Sequence, residues 1–170
     1  MVKRALIVID MQKDFVDGSL ANADAQTIAP LIADYIDGFD GDVIATRDTH
    51  AENYLSTAEG KKLPVPHCIK GTDGWDIVDE IASALQRKNA RLVDKPTFGF
   101  LDWQILSPYD EVTLVGTCTD ICVVSNALIL KATYPDITVR VKASLCAGTN
   151  KQNHEAALQV MRCCQVDVVE

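Results

Sequence analysis

The sequence predicts an α/β fold: a three-layer αβα sandwich built on a doubly wound, mostly parallel sheet of about six strands. Two observations carry this. Short apolar runs of strand length alternate with longer stretches whose apolar residues recur at helical spacing, the rhythm of a sheet covered by helices. The first and fourth runs are almost continuously apolar, as strands buried on both faces must be. A length of 170 residues suits one domain, 1–170, with a substantial core.

In chain order, strands are expected at 5–9, 42–46, 91–93, 112–115, 137–141 and 166–168. A helix over 25–36 brings Ile28, Leu31, Ile32, Tyr35 and Ile36 to one side, and one over 75–85 does the same with Ile77, Val78, Ile81, Ala84 and Leu85. The fourth strand runs directly into an apolar helix, with Cys122 in its first turn. Thiolate is favoured there by the positive end of the helix dipole. The last helix opens on Thr149-Asn-Lys-Gln152, which fits a capping box, and continues through Ala157, Val160, Met161 and Cys164. Between the second strand and the second helix, residues 49–74 carry no regular pattern, and irregular segments of that length in a compact domain usually serve function. Nothing reads as a repeat, a linker or a second domain.

Hydrophobic and charged contents of 48% and 24% are ordinary for a globular enzyme. The net charge of −8 opposes binding to nucleic acid or an anionic membrane surface. The apolar run near the N-terminus breaks at Asp10 without a small-residue cleavage site, so no signal peptide is expected, and no stretch approaches the ~20 apolar residues of a membrane span. The six cysteines form neither a CxxC pair nor a zinc-finger pattern, which fits a reduced, cytoplasmic protein with buried thiols.

Ligands of such sheets bind beyond the carboxyl ends of the strands. Asp10, Asp48, Lys95 and the segment from Cys118 to Cys122 all fall there. Each has an ordinary use on its own: Asp10 and Asp48 as turn residues, Lys95 as a solvated amine, Cys122 as packing. Together, a thiol, a carboxylate and an amine at one sheet edge make a plausible nucleophile, base and electrostatic partner. Asp48, His50 and His67 are ligands that zinc accepts, and one carboxylate with two imidazoles leaves positions open for water or substrate.

These elements give the chain a resemblance to the isochorismatase-like cysteine hydrolases, most of all to their nicotinamidase branch. The matching segments are Asp10-Met-Gln-x-Asp-Phe15, Thr46-Arg-Asp48-Thr-His50, Pro66-His67-Cys68, Lys95 and Gly116-Thr-Cys-Thr-Asp120-Ile-Cys122-Val. The resemblance implies a catalytic triad of Asp10, Lys95 and Cys122, and an oxyanion hole made by the backbone amides of Cys118 and Cys122. It also implies a cis peptide at Thr117–Cys118 and a divalent metal on Asp48, His50 and His67, zinc before iron or manganese. The implied partner is a small-molecule amide, nicotinamide first, with self-association into a homo-oligomer. His154, the third histidine, is expected to be structural.

The chain departs from the nicotinamidase pattern in having Thr49 and Pro64 where relatives carry Trp, and no histidine between His50 and His67, where Ser56 lies nearby. Phe15 and Phe98 are the aromatic residues expected against the substrate. Two other readings stay open: another small amide or carbamoyl substrate, and a non-catalytic thiol-redox protein using Cys118 with Cys122.

Overall fold

The computed structural model describes residues 2–170. Its centre is a sheet of six parallel strands: β1 (Arg4–Ile9), β2 (Asp42–Asp48), β3 (Arg91–Lys95), β4 (Glu111–Thr117), β5 (Thr138–Ala147) and β6 (Asp167–Val169). They lie in the order β3-β2-β1-β4-β5-β6. The chain winds outward from β1 to one edge, returns to the other side of β1, and winds outward again. A crevice therefore opens where β1 and β4 diverge, the switch point at which doubly wound sheets hold ligands.

Strand periodicity divides the core. Ala5, Ile7 and Ile9 of β1 pack on one face with residues of α5 (Val124–Thr133) and α6 (Lys151–Cys163). Leu6 and Val8 pack on the opposite face with α2 (Ala23–Gly38) and α4 (Asp79–Arg87). Two short helices complete the set, α1 (Lys13–Val16) and α3 (Ala58–Lys62). Among the described residues, no helix is long and apolar enough to cross a membrane.

Most strands run longer than their apolar patterns, because β2 and β3 end on the polar residues Asp48 and Lys95. The helix expected from Trp75 begins only at Asp79, since a 3₁₀ turn at Asp73–Trp75 and an extended stretch precede it. The capping box expected at Thr149 is replaced by a cap one residue later. The Asn150 side chain accepts from the amide of Asn153, which leaves the Thr149 hydroxyl free for another partner. Residues 49–74 are less irregular than their pattern suggests and contain α3, which Thr57 caps by accepting from the Gly60 amide.

Gly116 is the tightest point of the switch. Its φ of +119° lies outside what side-chain-bearing residues tolerate, and a Cβ there would come within 2.1 Å of the Ile9 carbonyl oxygen. Gly116→Ala is expected to destabilise the fold by about 2 kcal/mol or more, read as a lower urea midpoint at unchanged slope. A midpoint equal to that of the parent would show that β4 does not need this close approach to β1.

Candidate active site

Three strand ends converge on one buried centre. Asp10 follows β1 directly, in the left-handed region with φ 47°, a conformation aspartate tolerates better than most residues. Lys95 ends β3. Its Nζ lies 2.6 Å from Asp10 Oδ2, 3.5 Å from Cys122 Sγ and 3.4 Å from Asp48 Oδ1, and it donates to the Thr97 carbonyl at 3.1 Å. Asp10, Lys95 and Cys122 are all buried.

The other Asp10 oxygen, Oδ1, accepts from the Thr46 hydroxyl at 2.6 Å, and Thr46 Oγ1 in turn accepts from the Asp10 amide. Oδ2 touches Lys95 as an ion pair without an aligned hydrogen bond, so it retains accepting capacity on the side of the thiol.

Electrostatics assign the protons. Burial pulls against a charge on Lys95, but Asp10, Cys122 and Asp48 outweigh it and push its pKa upward, so it stays an ammonium. Burial raises the Asp10 pKa, with Lys95 working in the other direction. The Cys122 thiol is driven well up by burial and then by the Asp10 charge. It therefore rests protonated, next to a carboxylate able to take that proton.

Cys122 lies in a five-residue π-helical turn, Thr119–Val123, that runs directly into α5, so it sits in the first turn of the helical segment as expected, with π rather than α geometry. Its burial acts against a thiolate there and so opposes the expected help from the helix dipole.

The Thr117–Cys118 peptide is cis, as the resemblance implied. The Cys118 carbonyl accepts from the amides of Ile121 and Val123. Neither the Cys118 nor the Cys122 amide is a donor among the loop and cap hydrogen bonds of the described residues. Both amides are thus candidates to receive a developing oxyanion. Cys118 and Cys122 are free thiols, and burial pushes Cys118 up to about 11. A thiol so protonated is a poor attacking partner for redox exchange.

Beside this triad is a second cluster. Asp48, Glu59, His50 and His67 offer ligand atoms that all lie within 4.8 Å of one another. His50 Nε2 is 3.0 Å from Asp48 Oδ2 and 3.6 Å from Glu59 Oε1, while His67 Nε2 is 3.7 Å and 3.9 Å from the same two atoms. His67 Nδ1 lies 2.8 Å from the Val65 carbonyl, which fixes its proton there and turns the Nε2 lone pair toward the cluster.

The donor set fits a divalent cation. Asp10, Asp48 and Glu59 supply three negative charges around the single ammonium of Lys95, leaving two uncompensated when the histidines are neutral. Two carboxylates and two imidazoles also suit zinc, iron or manganese in ligand type.

The sequence reading placed the metal on Asp48, His50 and His67 alone; between the two histidines it noted the lack of a further histidine and the nearness of Ser56, and it missed Glu59. Its signal was the helix start Thr57-Ala58-Glu59, which puts the carboxylate in the first turn of α3. Two motif residues also proved to be supports. Gln12 accepts from the Asp48 amide at 2.7 Å and donates to the Asp48 carbonyl at 2.9 Å, pinning the end of β2. Asp14 accepts from the Cys68 amide and so anchors the residue after His67. Asn126, buried in α5, donates to the carbonyls of Cys122 and Phe98.

A cavity of about 490 Å³ joins the two centres. Cys118 and Cys122 line one side, Asp48, Glu59 and His67 another, and Phe15, Leu20, Leu63, Phe98 and Ile121 supply apolar wall. Both aromatic residues expected against a substrate are therefore at the cavity, Phe15 buried and Phe98 partly exposed. His154 lies outside it and pairs with Thr119.

The Isochorismatase domain model matches residues 4–170. The chain belongs to the isochorismatase family. Within that family it is 33% identical over 184 aligned positions to the nicotinamidase/pyrazinamidase of Mycobacterium tuberculosis, covering 98% of each chain. Among solved structures, the nicotinamidase/pyrazinamidase of Bacillus subtilis superimposes with a TM-score of 0.89 at 25% identity, over 99% of this chain and 100% of that one. The pyrazinamidase of Pyrococcus horikoshii, solved in complex with zinc, gives a TM-score of 0.82 at 26% identity over 99% of each chain.

Two outcomes follow from the charges at this family site. Lys95→Met is expected to cost about 3–5 kcal/mol of stability, because it strands buried carboxylates, and adding Asp10→Asn should recover part of that loss in urea unfolding. Glu59→Gln should lower the affinity for added zinc at least about tenfold, measured by competition with a chromophoric chelator. Equal zinc affinity in the variant and the parent would remove Glu59 from the ligand set.

Proposed function

We propose that the chain is a cysteine amidohydrolase that cleaves nicotinamide to nicotinate and ammonia. The observation that carries this reading is the meeting of Cys122, Asp10 and Lys95 beside a cavity that Cys122 lines together with Asp48, Glu59 and His67 of the metal-ligand cluster. Its nicotinamidase and pyrazinamidase relatives support an aromatic amide as the substrate.

In the first half-reaction, Asp10 takes the thiol proton and Cys122 Sγ bonds to the amide carbon. Charge then moves to the carbonyl oxygen, where the amides of Cys118 and Cys122 receive it. Asp10 returns the proton to the nitrogen, the C–N bond breaks, and ammonia leaves a thioester on Cys122.

In the second, water attacks the thioester carbon and gives its proton to Asp10. The C–S bond breaks and the proton returns to sulfur, so the free acid departs from the starting enzyme. Lys95 remains an ammonium throughout. It holds Asp10 in place and offsets the negative charge that passes between carboxylate and sulfur. The raised pKa of Asp10 suits both roles, since a carboxyl that holds its proton more firmly is a better base and can still release it to an amine.

Asp48, His50, Glu59 and His67 would hold a divalent metal, for which we propose zinc. When bound it supplies a Lewis acid beside the cavity, suited to orienting a ring nitrogen or a water. We also propose that the chain forms one domain and acts as a homo-oligomer in a reducing cytoplasm, which its six unpaired cysteines support.

Cys122→Ala should lower ammonia release from nicotinamide by at least about 10³-fold with circular dichroism unchanged, and Cys122→Ser should be nearly as inactive. Turnover near the parental rate in the alanine variant would dismiss the cysteine mechanism.

A further inference from the structure

Thr119 and Asp120 sit between the two oxyanion amides in sequence, yet neither has a part in the chemistry above. Both reach to the same place, the junction between β5 and α6. Thr119 is fully buried, and its Oγ1 lies 2.8 Å from His154 Nδ1 in the first turn of α6. Asp120 accepts twice from Thr149, from the amide at 2.8 Å and from the hydroxyl at 2.5 Å. The hydroxyl is available because Asn150 has taken over the helix cap.

Gly148 permits this approach. A Cβ at that position would lie 2.7 Å from His154 Cβ and 3.1 Å from Asp120 Oδ1. The Gly148 carbonyl in turn accepts from Asn22 Nδ2 at 2.8 Å, and Asn22 and Thr149 both line the cavity.

The turn needs such fixing. A π-helical turn is a rare, widened i→i+5 turn. Here Val123 donates to the Cys118 carbonyl and Val124 to the Thr119 carbonyl, and the Cys118 carbonyl also takes the amide of Ile121. The direction of the Cys122 amide relative to Cys118 is then set by whatever holds the residues between them. Oxyanion donors act only if they are already aimed, within about half an ångström, at where the charge will develop.

We propose that the Thr119–His154 and Asp120–Thr149 pairs form a clamp that aims the oxyanion donors of the nucleophile turn. The four are positioning residues: they act through the backbone of Cys118 and Cys122 and touch no reacting atom. The inference rests on the cysteine mechanism proposed above. It adds that α6, a helix holding no member of the triad, sets how strongly the transition state is bound.

The test separates transition-state binding from ground-state binding. Pyridine-3-carbaldehyde reports the first: Cys122 sulfur bonds to its carbonyl carbon, the thiol proton passes to Asp10, and the aldehyde oxygen becomes an oxyanion in the same hole. Nicotinate, which forms no such bond, reports the second.

Thr119→Val removes the hydroxyl at nearly constant volume, and Thr119→Ser keeps it. For Thr119→Val, kcat and aldehyde affinity should fall together by about ten- to a hundredfold, short of the ~10²–10³ lost when a donor is removed outright. Nicotinate inhibition should stay within about twofold, and Thr119→Ser should recover most of the rate. His154→Phe removes the Nδ1 partner at a partly exposed residue outside the cavity and should show the same split, which keeps the question answerable if Thr119→Val does not fold.

Unchanged kcat in a folded variant would overturn the clamp, as would aldehyde and nicotinate affinities that fall in parallel. A parent protein that releases no ammonia from nicotinamide would instead overturn the functional reading, and the clamp with it.

Discussion

Everything at this site depends on one buried ammonium. Lys95 has no exposed surface and sits within 3.5 Å of the carboxylate of Asp10 just after β1, that of Asp48 at the end of β2, and the Cys122 sulfur. Taking such a charge out of water costs several kcal/mol, which only close opposite charge and full hydrogen bonding can offset. Asp10 and Asp48 supply the charge, Asp48 and the Thr97 carbonyl accept hydrogen bonds, and the result binds three chain segments to a single point. The same ammonium couples the two halves of the site. It contacts Asp10 and Asp48 alike, so a change of charge at the cluster of Asp48, His50, Glu59 and His67 is felt at Cys122.

The sheet explains why these groups can meet at all. Asp48 and Lys95 are register partners across β2 and β3, and Ile9, just before Asp10, is the partner of Gly116 in β4. Parallel strands bring all their carboxyl ends to one edge, so residues far apart in sequence become neighbours without any long excursion of the chain. The reversal of strand order beside β1 then opens room between Asp10 and the Cys118–Cys122 turn. Gly116 lets the two central strands stay close up to that opening.

Much of this was legible before folding was considered. Strand ends are marked by a change from apolar to polar residues, and polar residues at or just after those ends, Asp10, Asp48 and Lys95, are the ones that converge on this centre. What escaped the sequence reading depended on local geometry that no periodicity encodes. Glu59 joins the cluster of Asp48, His50 and His67 only because Thr57 starts a short helix inside an apparently patternless segment, and Gly60 packs that helix against the Tyr54 carbonyl. The π turn was equally hidden, since the apolar spacing of Val123 to Leu130 suits a helix that starts anywhere nearby. Burial at that turn, which apolar spacing does not give either, raises the Cys122 thiol, and the proposed mechanism therefore has Asp10 take its proton.

The two positions where relatives carry Trp show how the chain redistributes aromatic surface. Thr49 accepts a hydrogen bond from Trp75 Nε1, and the face of Trp75 is covered by the Arg47 guanidinium at 3.8 Å. That indole packs against the outside of the β2 end and is not among the cavity residues. Near Pro64, the wall is instead formed by Leu63, with Phe98 and Ile121 also lining the cavity. Aliphatic walls gain by removing apolar area from water and impose little angular preference, whereas an indole face rewards a stacked ring. Two rings, Phe15 and Phe98, remain in the lining beside these aliphatic residues. In the proposed reading the polar lining, Asp48, Glu59 and the Cys118–Cys122 turn, would supply the orientation of a bound amide that the aliphatic part of the wall does not.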